Sequence, residues 1–159
     1  MITLVLGGAR SGKSDVAERL VGEGPVTYLA TGTATDEAMA ARIAAHRARR
    51  PRTWRTVEEG GAALPRVLAD LVGVVLIDSL TTWLAAAPDF SVDGDELCIA
   101  LGKRDGDTVV VSDEVGLGVH PSTEAGNRFR DELGALNQQV AAGADDVLLV
   151  VAGRTLRLT

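Results

Sequence analysis

The chain has 159 residues, 46% hydrophobic and 24% charged, with a net charge of −6 and a pI near 4.9. That length predicts one domain over residues 1–159 with a full core, and the apolar content excludes a disordered chain. The acidic balance argues against a general nucleic-acid or anionic-membrane binder.

Ile2-Thr3-Leu4-Val5-Leu6 is a short apolar run rich in β-branched residues and predicts a buried strand. The chain enters it at once with no basic segment ahead, and no later apolar run approaches membrane-spanning length. With a single cysteine, Cys98, no internal disulfide is possible, so a cytoplasmic setting is expected.

The strand runs into Gly7-Gly8-Ala9-Arg10-Ser11-Gly12-Lys13-Ser14, which fits the phosphate-loop pattern G-x-x-x-x-G-K-S/T. Glycines let backbone N–H groups turn inward around a polyphosphate, and the N-terminus of the following helix adds partial positive charge. Lys13 would reach the outer phosphates, and Ser14 would offer its hydroxyl to Mg2+. Val16, Ala17, Leu20 and Val21 form the apolar stripe of the helix, which Gly22, Gly24 and Pro25 should end. The whole predicts a nucleoside triphosphate site.

Val26 to Ala30 reads as a second strand, ending in the turn-like Thr31-Gly32-Thr33. Asp36 precedes a helical stretch that carries Met39, Ile43 and His46 on one face, and Pro51 should stop it. Basic residues cluster here, at Arg42, Arg47, Arg49, Arg50, Arg52 and Arg55, which suits a phosphate-rich small ligand. By default a histidine on an apolar helix face is a hydrogen-bonded core residue. Arginines on either side of His46 point instead to a nucleophile: they offset charge developing on an attacked phosphate. A neutral imidazole attacking an α-phosphate would give a phosphoramidate and expel pyrophosphate.

Thr53 to Val57 predicts a short strand leading to Glu58 and Glu59, followed by a helix with Leu64, Val67, Leu68 and Leu71. Val74-Val75-Leu76-Ile77-Asp78 is an apolar run closed by a carboxylate, and Leu80 to Leu84 starts another helix. Residues 85–107, with Pro88, Gly94, Gly102 and Gly106, read as a loop with one short helix near Glu96 to Leu101. A strand follows at Thr108 to Ser112, then a turn around Gly116 and Gly118. Phe129, Leu133, Leu136 and Val140 line one face of a helix ending near Gly143. The chain closes with a strand over Asp146 to Val151 and an edge strand at Thr155 to Leu158.

Apolar strands alternating with helices imply an α/β fold, a mainly parallel sheet with helices on both faces and ligands beyond the carboxyl ends of the strands. Asp78, Asp113 and Glu114 all follow strands and compete for the role of the acid that helps to hold magnesium. His120 reads as a loop histidine and Cys98 as structural, while Trp54 and Trp83 are expected to pack rather than to stack on a ligand.

Several blocks in order resemble one family. They are Gly7 to Ser14, Tyr28-Leu29-Ala30-Thr31, Arg42-Ile43-Ala44-Ala45-His46-Arg47 with Arg50-Pro51, and Trp54-Arg55-Thr56-Val57-Glu58. Glu114 to Gly118, Gly126 to Asp131 and Asn137-Gln138 complete the set. The chain is similar, from Ile2 to about Leu158, to the bifunctional adenosylcobinamide kinase/adenosylcobinamide-phosphate guanylyltransferases of cobalamin biosynthesis.

The resemblance implies a P-loop NTPase of RecA-like fold, assembling as a homotrimer. It implies two reactions: ATP or GTP phosphorylates adenosylcobinamide, then GTP guanylylates a histidine and the phosphorylated corrinoid takes the GMP. The partners implied are thus a small corrinoid and nucleotides, with Mg2+ as cofactor. By the same resemblance the catalytic residues are His46 and Lys13. Nucleotide contacts fall on Gly7, Gly8, Ala9, Arg10, Ser11, Gly12, Lys13 and Ser14, on Ala30, Thr31 and Gly32, on Arg47, Ala48, Arg49 and Arg50, and on Glu58 and Asp78. Ser14 and Asp78 would be the metal ligands, the family favouring Asp78 among the three acids. Three departures stand out: Ala38 where a glutamate is usual, Asp113 where an asparagine is usual, and a short segment between Leu84 and Thr108. A non-catalytic nucleotide-binding module and a kinase-only protein with a packing His46 remain as alternatives.

Overall fold

The computed structural model describes residues 1–32, 44, 48 and 50–158. The expected helix around Met39, Ile43 and His46 therefore lies outside the described residues, apart from Ala44 and Ala48, which are helical.

Seven strands form one sheet: β1 (Ile2–Gly7), β2 (Val26–Ala30), β3 (Arg55–Glu58), β4 (Val74–Asp78), β5 (Thr108–Asp113), β6 (Asp146–Val151) and β7 (Arg154–Arg157). Their spatial order is β3-β2-β4-β5-β1-β6-β7. Every neighbouring pair is parallel except the closing β6–β7 hairpin. The helices are α1 (Lys13–Val21), α2 (Leu64–Asp70), α3 (Leu80–Ala86), α4 (Gly94–Lys103) and α5 (Glu124–Ala142), with a 3-10 turn at Pro88–Phe90.

The period of two along each strand sorts the core into two layers. Leu4, Leu6, Leu29, Val75, Ile77, Val110 and Val147 face one side, where Leu64, Leu68, Leu80, Trp83, Leu97, Leu136 and Val140 of α2 to α5 cover them. Val5, Tyr28, Leu76, Val109, Val111 and Val150 face the other, packed by Val16 and Ala17 of α1. Helices thus lie on both faces, as the alternating pattern predicts.

The segment expected to be mostly loop is mostly helical. α3 runs on to Ala86, and α4 is ten residues long, starting two residues before Glu96 and ending two after Leu101. Its glycines and proline stand at element ends, so they punctuate the helices without breaking them. Pro88 opens the 3-10 turn. Gly94 is the first residue of α4, whose cap Asp93 accepts from the Glu96 N–H at 2.8 Å. Gly106, with φ 131°, lies beyond the helix.

Arg104 ties this segment to the sheet. Its half-buried guanidinium donates to the carbonyls of Leu68 (3.2 Å), Leu71 and Gly73 (2.6 Å) and to Thr108 Oγ1 (3.0 Å). The first two carbonyls are at the C-terminal end of α2, where helix carbonyls lack intrahelical partners. Arg104→Ala is expected to destabilise the fold by about 1–3 kcal/mol, because it strips three part-buried acceptors of a charged donor. Urea unfolding with an unchanged slope would measure it.

Candidate active site

The phosphate loop starts where β1 leaves the sheet between β5 and β6. Gly7 is buried, and a Cβ there would meet Ser11 Oγ at 2.5 Å and the Val150 carbonyl at 2.8 Å, so no other residue fits. The loop closes on itself through Ser11 N–H donating to the Gly8 carbonyl at 3.2 Å. Both flanks are pinned from outside: Gly153 N–H donates to Ser11 O at 2.7 Å, and Glu114 N–H to Gly7 O at 3.1 Å. Arg10 (φ 58°) and Gly12 (φ 91°) adopt left-handed conformations that turn the chain into α1. The result is a rigid bend ahead of a helix N-terminus, the arrangement that binds phosphate.

Lys13 lies across this bend. Its Nζ donates to the Gly8 carbonyl at 3.2 Å and forms an ion pair with the Asp113 carboxylate. Asp113 is in parallel register with Gly7 on the neighbouring strand. It is held there by its N–H donating to Thr81 Oγ1 (2.8 Å) and by Asn137 Nδ2 donating to its carbonyl (3.1 Å).

The three competing acids separate by their partners. Asp113 faces Lys13, Glu114 Oε1 accepts from Gly116 N–H at 2.7 Å, and Asp78 accepts from the Tyr28 hydroxyl. Asp78 closes β4, one strand further from the loop than Asp113. Burial, reinforced by the Asp78 carboxylate, pushes the Tyr28 phenol well above its ordinary pKa, so it stays protonated and donates.

In the turn after β2 the Thr31 side chain is engaged within the protein. Thr31 is 1% exposed. Its Oγ1 accepts from Ser79 N–H (2.9 Å) and donates to the Ser79 carbonyl (2.6 Å), beside Thr82 Oγ1 (2.6 Å). That hydroxyl joins the end of β2 to the capping box of α3, and Thr31 N–H donates to Asp78 O at 3.1 Å. Arg50 sits with Cζ 3.2 Å from the Tyr28 ring centroid and donates to Thr56 Oγ1 at 3.3 Å. Trp54 stacks on the same ring at 6.4 Å, and Trp83 Nε1 donates to the Gly61 carbonyl at 3.0 Å, so both tryptophans pack.

All the sequence-predicted turns end on the carboxyl edge of the sheet, as the registers of Gly7 with Asp113, of Ala30 with Asp78 and of Ala30 with Glu58 require. They form two groups. Gly7, Gly8, Ala9, Arg10, Ser11, Gly12, Lys13 and Ser14 surround the end of β1. Ala30, Thr31, Gly32, Arg50 and Glu58 gather around β2 and β3. Four strand spacings separate Glu58 from Gly7, about 19 Å at the usual interstrand distance, and Asp78 lies between. Ala48 is exposed and helical, while His46, Arg47 and Arg49 lie outside the described residues. A separate cavity of about 700 Å³, lined by Gly61, Arg66, Trp83, Asp93, Asp95 and Gln139 among others, involves no phosphate-loop residue. Sequence reasoning missed the Arg50–Tyr28 stack and the Lys13–Asp113 pairing. Its signals were Tyr28, the only tyrosine, and the aspartate at 113.

A family model for cobinamide kinase / cobinamide phosphate guanyltransferase matches residues 3–158. The chain belongs to that family. It is similar to the bifunctional adenosylcobalamin biosynthesis protein CobP of Pseudomonas aeruginosa, with 44% identity over 99% of this chain and 97% of the relative. The CobU protein of Salmonella typhimurium is 39% identical over 96% and 97%, respectively. In backbone, the chain also resembles the P4 protein of bacteriophage phi6 solved with ADP, at a TM-score of 0.46 and 16% identity, over 97% of this chain and 52% of the phage protein. The resemblance read from the sequence blocks is thus borne out, and with it a kinase and guanylyltransferase family of adenosylcobalamin biosynthesis. Among the described residues, no helix is long and apolar enough to cross a membrane.

The Lys13–Asp113 ion pair can be tested directly, since a phosphate drawn to Lys13 would compete with the carboxylate. Asp113→Asn is expected to tighten nucleoside triphosphate binding about fivefold, the worth of a partly buried ion pair near 1 kcal/mol. The gain should shrink as salt is added. Calorimetric titration at two ionic strengths checks both; weaker binding in the variant would make Asp113 a ligand-side group instead.

Proposed function

We propose that this chain performs both family reactions on one scaffold in the cytoplasm, as a homotrimer that binds no nucleic acid. In the first, the hydroxyl of the aminopropanol arm of adenosylcobinamide attacks the γ-phosphorus of ATP or GTP and the nucleoside diphosphate leaves. In the second, His46 attacks the α-phosphorus of GTP, pyrophosphate leaves, and the corrinoid phosphate then takes GMP from the imidazole to give adenosylcobinamide-GDP. The observation that carries this reading is the pinned bend of Gly7 to Ser14, with Lys13 held across it.

The backbone N–H groups of Gly8, Ala9, Arg10, Ser11 and Gly12 and the first turn of α1 would cradle the phosphates, and Lys13 would turn from Asp113 to the outermost ones. Ser14 and Asp78 supply a hydroxyl and a carboxylate, hard oxygen donors of the kind Mg2+ takes together with phosphate oxygens and water. Asp78 is the last residue of β4, and Ser14 lies in the first turn of α1, which follows the end of β1 and packs on β4. This supports the assignment, as does the Tyr28 contact, which engages only Oδ2 of Asp78. Mg2+ held there would neutralise charge developing between the β- and γ-phosphates. The second group of residues, Ala30, Thr31, Gly32, Arg50 and Glu58, together with Arg47, Ala48 and Arg49, is assigned to the nucleotide that reacts with His46. Backbone atoms rather than the engaged Thr31 hydroxyl would make the contact there. In sequence, His46 lies between β2 and β3, which supports this assignment.

Wild-type protein incubated with GTP and Mg2+ is expected to gain the mass of one GMP, in an acid-labile, base-stable linkage. His46→Asn should abolish the adduct while the kinase step continues. Lys13→Ala should slow both reactions by about 10²-fold or more, since both draw on a bound triphosphate. Intact-protein mass spectrometry and phosphorylation of adenosylcobinamide measure the two halves. Kinase turnover with no adduct on wild type would leave a plain kinase, and the absence of both would leave a nucleotide-binding module.

A further inference from the structure

Tyr28 is buried in β2, the strand between β3 and β4, and no role in the chemistry above falls to it. Two parts of the site nevertheless meet on this one side chain. Its hydroxyl donates to Asp78 Oδ2, and among the described residues Asp78 Oδ1 takes no hydrogen bond. Its ring face carries the Arg50 guanidinium at 3.2 Å, which Thr56 Oγ1 holds at 3.3 Å from the side, and Trp54 stacks against the ring. Arg50 follows His46 by four residues and precedes Pro51, so it closes the stretch of chain that carries the histidine.

We propose that Tyr28 is a positioning residue serving both halves of the site. Its hydroxyl holds one oxygen of Asp78 so that the other faces the cation, and its ring seats Arg50 and so anchors the end of the histidine-bearing segment. A carboxylate without such a donor rotates between orientations, and partners of this kind typically set metal affinity by 10-fold or more. A guanidinium stacked on a ring inside a partly buried site is held by cation–π attraction, which is stronger there than in water. The proposal rests on reading Asp78 as the magnesium acid and His46 as the GMP carrier.

Tyr28→Phe keeps the ring and removes only the hydroxyl. Binding of Mn2+ with GTP, followed by electron paramagnetic resonance, is expected to weaken about 10-fold. GTP binding in EDTA should stay within twofold of wild type, and self-guanylylation at saturating metal should be nearly retained. Tyr28→Leu removes the ring as well. It should slow self-guanylylation about 10-fold or more at saturating GTP and metal, a loss in kcat rather than in KM. At saturating GTP and metal, Arg50→Ala, which also gives up its assigned nucleotide contact, should lose at least as much. The double variant should be no worse in kcat than Arg50→Ala alone, because the ring acts there through Arg50.

Asp78→Asn run alongside separates the possible failures. If it weakens Mn2+·GTP binding and Tyr28→Phe does not, the positioning role of Tyr28 is overturned while Asp78 keeps its own. If Asp78→Asn leaves that binding unchanged, the magnesium assignment falls and the proposal falls with it. Equal weakening of metal-bound and metal-free binding in Tyr28→Phe would reduce Tyr28 to a packing residue. Because Tyr28→Phe conserves the ring and volume, the metal readout stands even if Tyr28→Leu does not fold.

Discussion

The phosphate loop keeps its shape because groups outside it hold both of its flanks. A run of glycines alone is floppy, since glycine loses more backbone freedom on folding than any other residue. Here Gly153 N–H, from the β6–β7 turn, and Glu114 N–H, from the end of β5, each bond to a loop carbonyl. Both come from strands paired with β1 or next to its partner. The parallel sheet therefore does more than bury apolar side chains: it removes the loop's conformational freedom before any ligand arrives.

Charge is arranged with the same economy. Lys13 is 13% exposed and Asp113 25%, so their ion pair avoids leaving a lone ammonium in a partly desolvated corner. The pair also keeps Lys13 folded over the bend, where a phosphate would meet it. The carboxylate at this position offsets the ammonium charge at the bend.

The carboxyl edge is wide. The loop and Glu58 stand at opposite ends of five strands, and Asp78 is between them. Under the proposed function that width leaves room for one group of residues at the triphosphate and another at the reacting α-phosphate. Tyr28 and Arg50 lie on the side of the edge toward β3, where the chain carrying His46 joins the sheet.

Much of this was legible in the residues. Strand-length apolar runs alternating with helical stripes led to a parallel α/β sheet, and the spacing of Gly7, Gly12, Lys13 and Ser14 marked the loop, because both signals are local and periodic. The 85–107 segment misled because Gly94, Gly102 and Gly106 look alike in sequence whether they interrupt helices or stand at their ends. The close approaches of Gly94 to Gln139 of α5 and of Gly106 to the Gly73 carbonyl appear only in the tertiary structure. Sequence alone determined the class of the fold, the phosphate loop and the family. The tertiary structure decided which acid faces Lys13, that the Thr31 hydroxyl bonds the backbone of Ser79 at the cap of α3, and that Arg50 rests on Tyr28. Each of these depends on which strands become neighbours in the sheet, and strand order is a long-range choice that no local pattern encodes.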